Sequence, residues 1–459
     1  MRLVKLLFLA ACLSFGLAIF CSAENPDIYY YMGCVRLLME GKVPFVDFHI
    51  GYTPLSFYMA CLPARLFGTG NTAALSFETF MSFINAGLIY YLLRKNVRDK
   101  ALCLFSTAFY LISLFFLDGM CYVLEPFIMF WGLLSLIAVQ KDRLWAVLIA
   151  GVCSFMAFWS KQYGLGFLVL NMLFLFLSYR RNWLALAGRL TVLIAGFAVT
   201  ACVMIGMLLK QGATLSNMMK FSGASYEKFG FWGMLEGTGY LLLVAPLLPV
   251  AVFLIAKHFK SLREEKFLIV CVCGILGFML ATYVRPYLHY IQLPLPFAIL
   301  MISILVDRYG IQAGNQRLVK WFKASVIVPI CIMVVIDYYF IFHNERKAVN
   351  EVAAQVASII PTGTDHVYVS TRLLCIGNVN RYGAPMLHKY GMSNGFVEEG
   401  EPLREIIMDA GCYVIDTAKL EFLRTEEPEL LKHIEKGRKK TRIDCRDKRF
   451  VTIVFSDQD

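Results

Sequence analysis

Charged side chains are scarce in this 459-residue chain. They make up 17% of it, where about 25% is usual for a soluble domain. Hydrophobic residues reach 58%, and the mean hydropathy is +0.62. This balance excludes a disordered chain, a coiled coil and a soluble enzyme. Fourteen cysteines in 459 residues exclude a disulfide scaffold. There is no Asn-x-Ser/Thr sequon, no internal repeat and no low-complexity segment. The missing sequon leans toward a bacterial envelope. What remains is a polytopic membrane protein, because only lipid tolerates so much apolar surface. The net charge of +11 is then a loop-charge bias rather than a sign of nucleic acid.

Eleven apolar runs approach the roughly 20 residues that a bilayer requires. They lie near 3–21, 72–93, 101–117, 123–140, 144–159, 163–179, 188–209, 238–256, 267–283, 290–306 and 324–342. The links at 94–100, 141–143, 179–189, 257–266 and 307–323 hold 17 Lys and Arg. The opposite set, 22–71, 118–122, 160–162, 210–237 and 284–289, holds 8. The first set is therefore expected on the cytoplasmic side of an inner (plasma) membrane, with the N-terminus. The first run ends on Cys21-Ser22-Ala23, as a signal peptide could, but an uncleaved anchor is the favoured reading. Either way residues 22–71 lie on the outer, periplasmic face.

Composition shifts at residue 344. The first 344 residues carry 15 acidic side chains, and the last 115 carry 18 acidic and 17 basic ones. Two domains follow: a membrane domain over 1–344 and a soluble outer α/β domain over 345–459. In the tail, 345–359 and 426–437 read as helices and 366–371, 412–416 and 451–455 as strands, while the basic segment 436–449 reads as a solvated loop. In the first outer loop, Asn25-Pro26 opens a helix that stops near Gly41. Tyr29, Tyr30 and Tyr31 suit a membrane interface. A turn-rich stretch leads to 55–67, whose Pro63 and Arg65 favour an interfacial helix over a span. Cys271 and Cys273, two apart on one helix, point different ways and read as packing.

Ionisable groups at outer span ends are few: Asp27, Asp47, His49, Asp118, Glu125, Lys161, Arg285 and His289. Six of these eight have an ordinary explanation. Asp27 suits a first helical turn and Asp47 a turn cap; Glu125 precedes Pro126 where a span begins. Lys161 could snorkel to headgroups, and Arg285 and His289 sit in an aromatic interfacial belt. The pattern says more than the single residues. Acidic groups occupy the first loop and cationic groups other outer ends. Were they to converge, the pocket would hold a base on one side and a phosphate on the other. Asp337, inside the last run, is left without a role.

The order and spacing of these motifs resemble the C-superfamily (GT-C) of integral membrane glycosyltransferases. The likeness is to the bacterial branch related to protein O-mannosyltransferases and aminoarabinose transferase. It is carried by Asp27-Ile28-Tyr29-Tyr30, by Glu40-Gly41-Lys42-Val43-Pro44-Phe45-Val46-Asp47, by Tyr52-Thr53-Pro54-Leu55 and by Leu66-Phe67-Gly68. Further matches are Glu125-Pro126, Gly151 followed by Ser160-Lys161-Gln162, and His289-Tyr290 followed by Pro294 and Pro296. Two departures stand out: Ile28 where a second acid is usual, and Thr53-Pro54 where Pro-Pro is usual. The resemblance implies a sugar on a polyprenyl phosphate as donor and inversion at the anomeric carbon. The acceptor would be a hydroxyl on a glycan lipid or a protein. Asp27 would be the base, supported by Asp47. Lys161, Arg285, His289 and Tyr290 would meet the donor phosphate, and Glu125, Tyr52 and His49 would support the pocket. It leaves room for a divalent metal without naming ligands.

Two rivals use the same membrane setting. A polysaccharide polymerase or ligase would carry Arg or His in a large later outer loop, whereas 210–237 holds only lysines. A lipid-linked-sugar flippase or other transporter would show broken spans in matching halves.

Overall fold

The structure is a computed structural model. It describes residues 2–21, 26–48, 50, 52–68, 70–119, 123–220, 229–284, 286–342, 355–356, 358–359, 367–369, 411–444 and 451–457. In chain order the helices are α1 (Arg2–Cys21), α2 (Pro26–Met39), α3 (Leu55–Phe67), α4 (Asn71–Asn96), α5 (Lys100–Ser113), α6 (Glu125–Val139), α7 (Leu144–Ser160), α8 (Leu165–Tyr179) and α9 (Trp183–Lys210). There follow α10 (Leu215–Lys220), α11 (Gly230–Val244), α12 (Leu248–Lys257), α13 (Phe259–Leu262), α14 (Lys266–Met279), α15 (Ala281–Val284), α16 (Leu295–Val306), α17 (Gln316–Ser325) and α18 (Ile327–Phe342). The C-terminal region adds α19 (Thr417–Glu426), α20 (Pro428–Glu435) and strands β1 (Val367–Val369), β2 (Cys412–Asp416), β3 (Arg438–Asp444) and β4 (Val451–Asp457).

Eight helical stretches among the described residues are long and apolar enough to cross a membrane. Helices α11 and α12 add a ninth if their 96° break lies within one span. Two expected runs, 123–140 and 144–159, fall on the shorter α6 and α7, so the chain is polytopic and α-helical with a small C-terminal sheet. The run expected at 188–209 begins earlier, at Trp183. Compactness divides the chain into two units.

The first unit (1–18, 76–207 and 226–338) is built around α16, which is buried at all twelve positions. A helix apolar on every face belongs at the centre of a bundle. The stretch 162–179 and helix α9 are mostly uncovered, and α9 shows side chains such as Leu184 and Val199 to its surroundings. Helices α7 and α9 approach closely because both carry glycine at the crossing. A Cβ on Gly151 would lie 2.1 Å from the Leu193 carbonyl oxygen, and one on Gly196 would lie 2.4 Å from that of Leu148. Small residues of this kind let membrane helices touch backbone to backbone. Helix α1 packs into this unit. Phe15 is buried against Phe83 and Phe115, and the Ser14 hydroxyl donates to Asp337 of α18.

The second unit comprises 19–75, 208–225 and 339–459. Helices α2 and α3 pack through Tyr31, whose ring meets those of Tyr52 (5.9 Å) and Phe57 (5.7 Å). The helix opening at Pro26 and ending by Gly41 is present, as is the helix over 55–67. The sheet runs β1-β2-β4-β3; β1 and β2 are parallel and β4 is antiparallel to both its neighbours. The three expected strands are there. The basic segment read as a loop instead contains β3, at the edge of the sheet. A charged edge is what keeps an exposed strand from pairing with another chain. The helix expected over 345–359 falls almost wholly outside the described residues.

Candidate active site

The α6–α7 hairpin brings a carboxylate and an ammonium together. Glu125 is the first residue of α6, with Pro126 behind it holding the first-turn geometry. Lys161 caps α7 in an extended conformation (φ −167°, ψ 148°) that ends the helix and turns the chain into the 3₁₀ turn Gln162–Gly164. That turn is tight: a Cβ on Gly164 would stand 2.1 Å from the Ala157 carbonyl, so only glycine fits. Lys161 Nζ donates to Glu125 Oε1 at 2.6 Å, and the side chains are 3% and 0% exposed.

Aromatic rings surround the ammonium. Lys161 Nζ lies 4.7 Å from the ring centre of Tyr290 and 5.7 Å from that of Tyr163, which themselves meet edge to face at 5.1 Å. Such faces stabilise a desolvated cation. His289 stands against Tyr290 (4.8 Å) and stacks on Tyr287 (5.3 Å). Its Nδ1 is 3.2 Å from Asp118 Oδ2, and it acts electrostatically on Glu125. Asp118 is left-handed (φ 55°), which Asp tolerates better than most residues. Gln292 donates to the Leu117 carbonyl at 2.6 Å and locks the two segments together.

Four predicted residues, Glu125, Lys161, His289 and Tyr290, thus converge in the first unit. Asp47 and Tyr52 lie in the second. There Asp47 Oδ2 accepts from Val43 N at 2.7 Å, closing the turn that holds Phe45 at φ 64°. Asn217 donates to the Phe45 carbonyl at 3.3 Å. Asp27 lies in the first turn of α2, but its carboxylate, like His49 and Arg285, lies outside the described residues.

Sequence reasoning missed three residues. Glu78 is buried and accepts from Val123 N at 3.2 Å, while its Oε1 meets no partner among the described residues. Asn85 donates to the Pro126 carbonyl at 2.8 Å, and buried Ser82 lies between the two on α4. The signal was available: polar residues at positions i, i+4 and i+7 mark one face of an otherwise apolar span. Asp118 was noticed but not paired with His289. The described cluster therefore holds three carboxylates (Glu78, Asp118, Glu125) against Lys161 and His289. No group of three or more His, Cys, Asp or Glu among the described residues is placed to hold a metal ion.

No family model and no curated protein sequence matches the chain. Solved structures do. ArnT from Cupriavidus metallidurans in the apo state has a TM-score of 0.66 at 13% identity, covering 99% of this chain and 98% of its own. The same protein bound to undecaprenyl phosphate gives 0.59 with the same identity and coverage. The archaeal oligosaccharyltransferase AglB from Archaeoglobus fulgidus, in complex with an inhibitory peptide and a dolichol-phosphate, gives 0.52 at 11% identity, covering 99% of this chain and 74% of AglB. At this level of identity the likeness establishes architecture alone: the chain shares the fold of these glycosyl-transfer proteins' structures over almost its whole length.

Proposed function

We propose that the protein is a membrane glycosyltransferase that moves a sugar from a polyprenyl phosphate to an acceptor hydroxyl at the outer face of a bacterial inner membrane. The observation that carries this reading is the buried Lys161–Glu125 pair, walled by Tyr163, Tyr290 and the His289–Asp118 couple, in a chain of this architecture. An ammonium donates from every N–H, so Lys161 beside Glu125 would offer a phosphate oxygen a charged donor. Arg285 and His289 would stand beside it. Glu125 orients the lysine.

The acceptor oxygen attacks the anomeric carbon, the bond from that carbon to the phosphate oxygen breaks, and the lipid phosphate leaves with the electron pair. Asp27 takes the hydroxyl proton. One displacement inverts the centre. Asp47 supports Asp27 by holding the 43–48 turn, and Tyr52 and His49 complete the acceptor side. The membrane domain over 1–344 carries the reaction; the soluble domain over 345–459 stands on the acceptor side.

Among the described residues, the 96° break between α11 and α12 is the feature that favours a transporter, since broken helices line many transport sites. Purified protein, given radiolabelled polyprenyl-phosphate sugars and a membrane extract as acceptor pool, separates the two. Transfer by wild type that Asp27→Asn abolishes supports the proposal. Label that only changes leaflet in liposomes, with no donor consumed, replaces it with a flippase.

A further inference from the structure

A polar cavity lies far from the Glu125–Lys161 pair. Its volume is about 480 Å³, within the range of about 300–1,000 Å³ usual for small-molecule sites. It is lined by Arg94, Lys95, Arg98, Arg308, Glu265 and Asp307. Glu78 and Arg94 are both on α4, sixteen residues apart, which is roughly 24 Å along a helix. The cavity therefore sits at the other end of the spans 72–96 and 288–312.

Both acids in the cavity are already engaged. Asp307 accepts from the backbone N–H groups of Arg98 (3.2 Å) and Asp99 (3.3 Å) and from Gln312 Nε2 (2.5 Å). Glu265 pairs with Arg308 at 2.5 Å. The bond from Gln312 to Asp307 spans five residues because 307–312 is a π-helical turn, a distortion that often marks functional sites. Four cations thus face two carboxylates, an excess of two positive charges. Arg94 uses one nitrogen on the carbonyls of Val97 and Arg98, and Lys95 makes a long bond to the Gln140 carbonyl. Arg98 is exposed and makes no side-chain hydrogen bond or ion pair among the described residues.

The charge bias of inner loops needs basic residues only somewhere in a link. It does not require them to meet around one cavity in which they outnumber the acids. A cavity at the ends of membrane spans lies at headgroup depth, and basic pockets there suit phosphate esters. We propose that this cavity binds a phosphate anion, supplied by the headgroup of an anionic phospholipid in the leaflet on that side, with Lys95 and Arg98 as its main ligands.

The test uses the full chain in nanodiscs of phosphatidylcholine, titrated with phosphatidylglycerol or with inorganic phosphate, and read by lipid adducts in native mass spectra. Lys95→Gln/Arg98→Gln is compared with Arg181→Gln/Lys257→Gln, which removes the same charge elsewhere. The double variant should bind phosphatidylglycerol roughly 30-fold more weakly, as loss of two basic contacts implies, and the control should match wild type. Inorganic phosphate that competes at millimolar levels would support the phosphate site but move its source to the soluble pool. Equal binding by the two double variants would overturn the proposal. Arg98→Glu, at an exposed side chain without hydrogen bonds or ion pairs among the described residues, repeats the test should the double variant fold poorly. No sugar donor enters the assay, so its outcome is independent of the glycosyl-transfer reading.

Discussion

The two ends of the α6–α7 hairpin each carry an ion pair of the same length. At one end Lys161 meets Glu125 at 2.6 Å, fully enclosed. At the other Arg189 of α9 meets Asp142, in the turn between the helices, also at 2.6 Å, with the carboxylate 75% exposed. Between them Asn171 of α8 donates to Ser135 and Ser154, each at 2.9 Å, tying α6, α7 and α8 together inside the bundle. Geometry alone does not separate the two pairs; surroundings do. Water and counterions screen the exposed pair. The enclosed pair has lost its hydration, and each charge depends on the other. A pair so expensive to desolvate is poor evidence of stabilisation and better evidence of a polar site.

The sharpest way to break the comparison is to remove one partner. Lys161→Met leaves Glu125 buried without its cation and should cost about 3–5 kcal/mol of stability in a detergent melt. A cost under about 1 kcal/mol would mean that the carboxylate finds water or a proton at once. Asn171→Leu tests the middle of the hairpin. Interhelical hydrogen bonds of this kind in a membrane bundle are worth about 0.6–1.7 kcal/mol, so the melt should fall by that order.

Asp142→Asn should leave the melting midpoint unchanged within error. The Tyr179 hydroxyl, then Arg189, hold the Asp142 carboxylate below its usual range. A lowered folded-state pKa adds stability above the unfolded pKa, near 4, and loses it as pH falls through the folded value. Any difference between wild type and Asp142→Asn should therefore shrink as the pH falls through the lowered folded-state value of Asp142. A difference that grows with acid would reverse the sign of this coupling.

How much was legible in the sequence follows the same division. Hydropathy marked the spans because lipid imposes one requirement on every helix. Pro26, Gly41 and Pro63 marked the first loop through local backbone rules. Glu125, Lys161, His289 and Tyr290 were visible as charged or aromatic residues at span ends. Their convergence was not, because it depends on how 125, 161 and 289 pack across more than a hundred residues. Glu78 leaves a trace in the sequence, the polar face it shares with Ser82 and Asn85, but its partner, Val123 N, is a backbone group that no motif reveals. Asp47 was read as catalytic or as a turn cap; its bond to Val43 N gives it a structural task, and its catalytic support stays within the proposal. Strand β3 looked like a loop because its lysines and arginines are edge charges, and an edge is a property of the sheet.

The central claim is that the enclosed pair serves the reaction rather than the fold. The variant Glu125→Leu/Lys161→Met removes both charges and leaves none unpaired. Its melt and its transfer from a labelled polyprenyl-phosphate sugar should be measured on the same preparation. The account predicts a melting midpoint at or above that of wild type, with transfer lost. Transfer that persists at the wild-type rate in a stably folded double variant would contradict it.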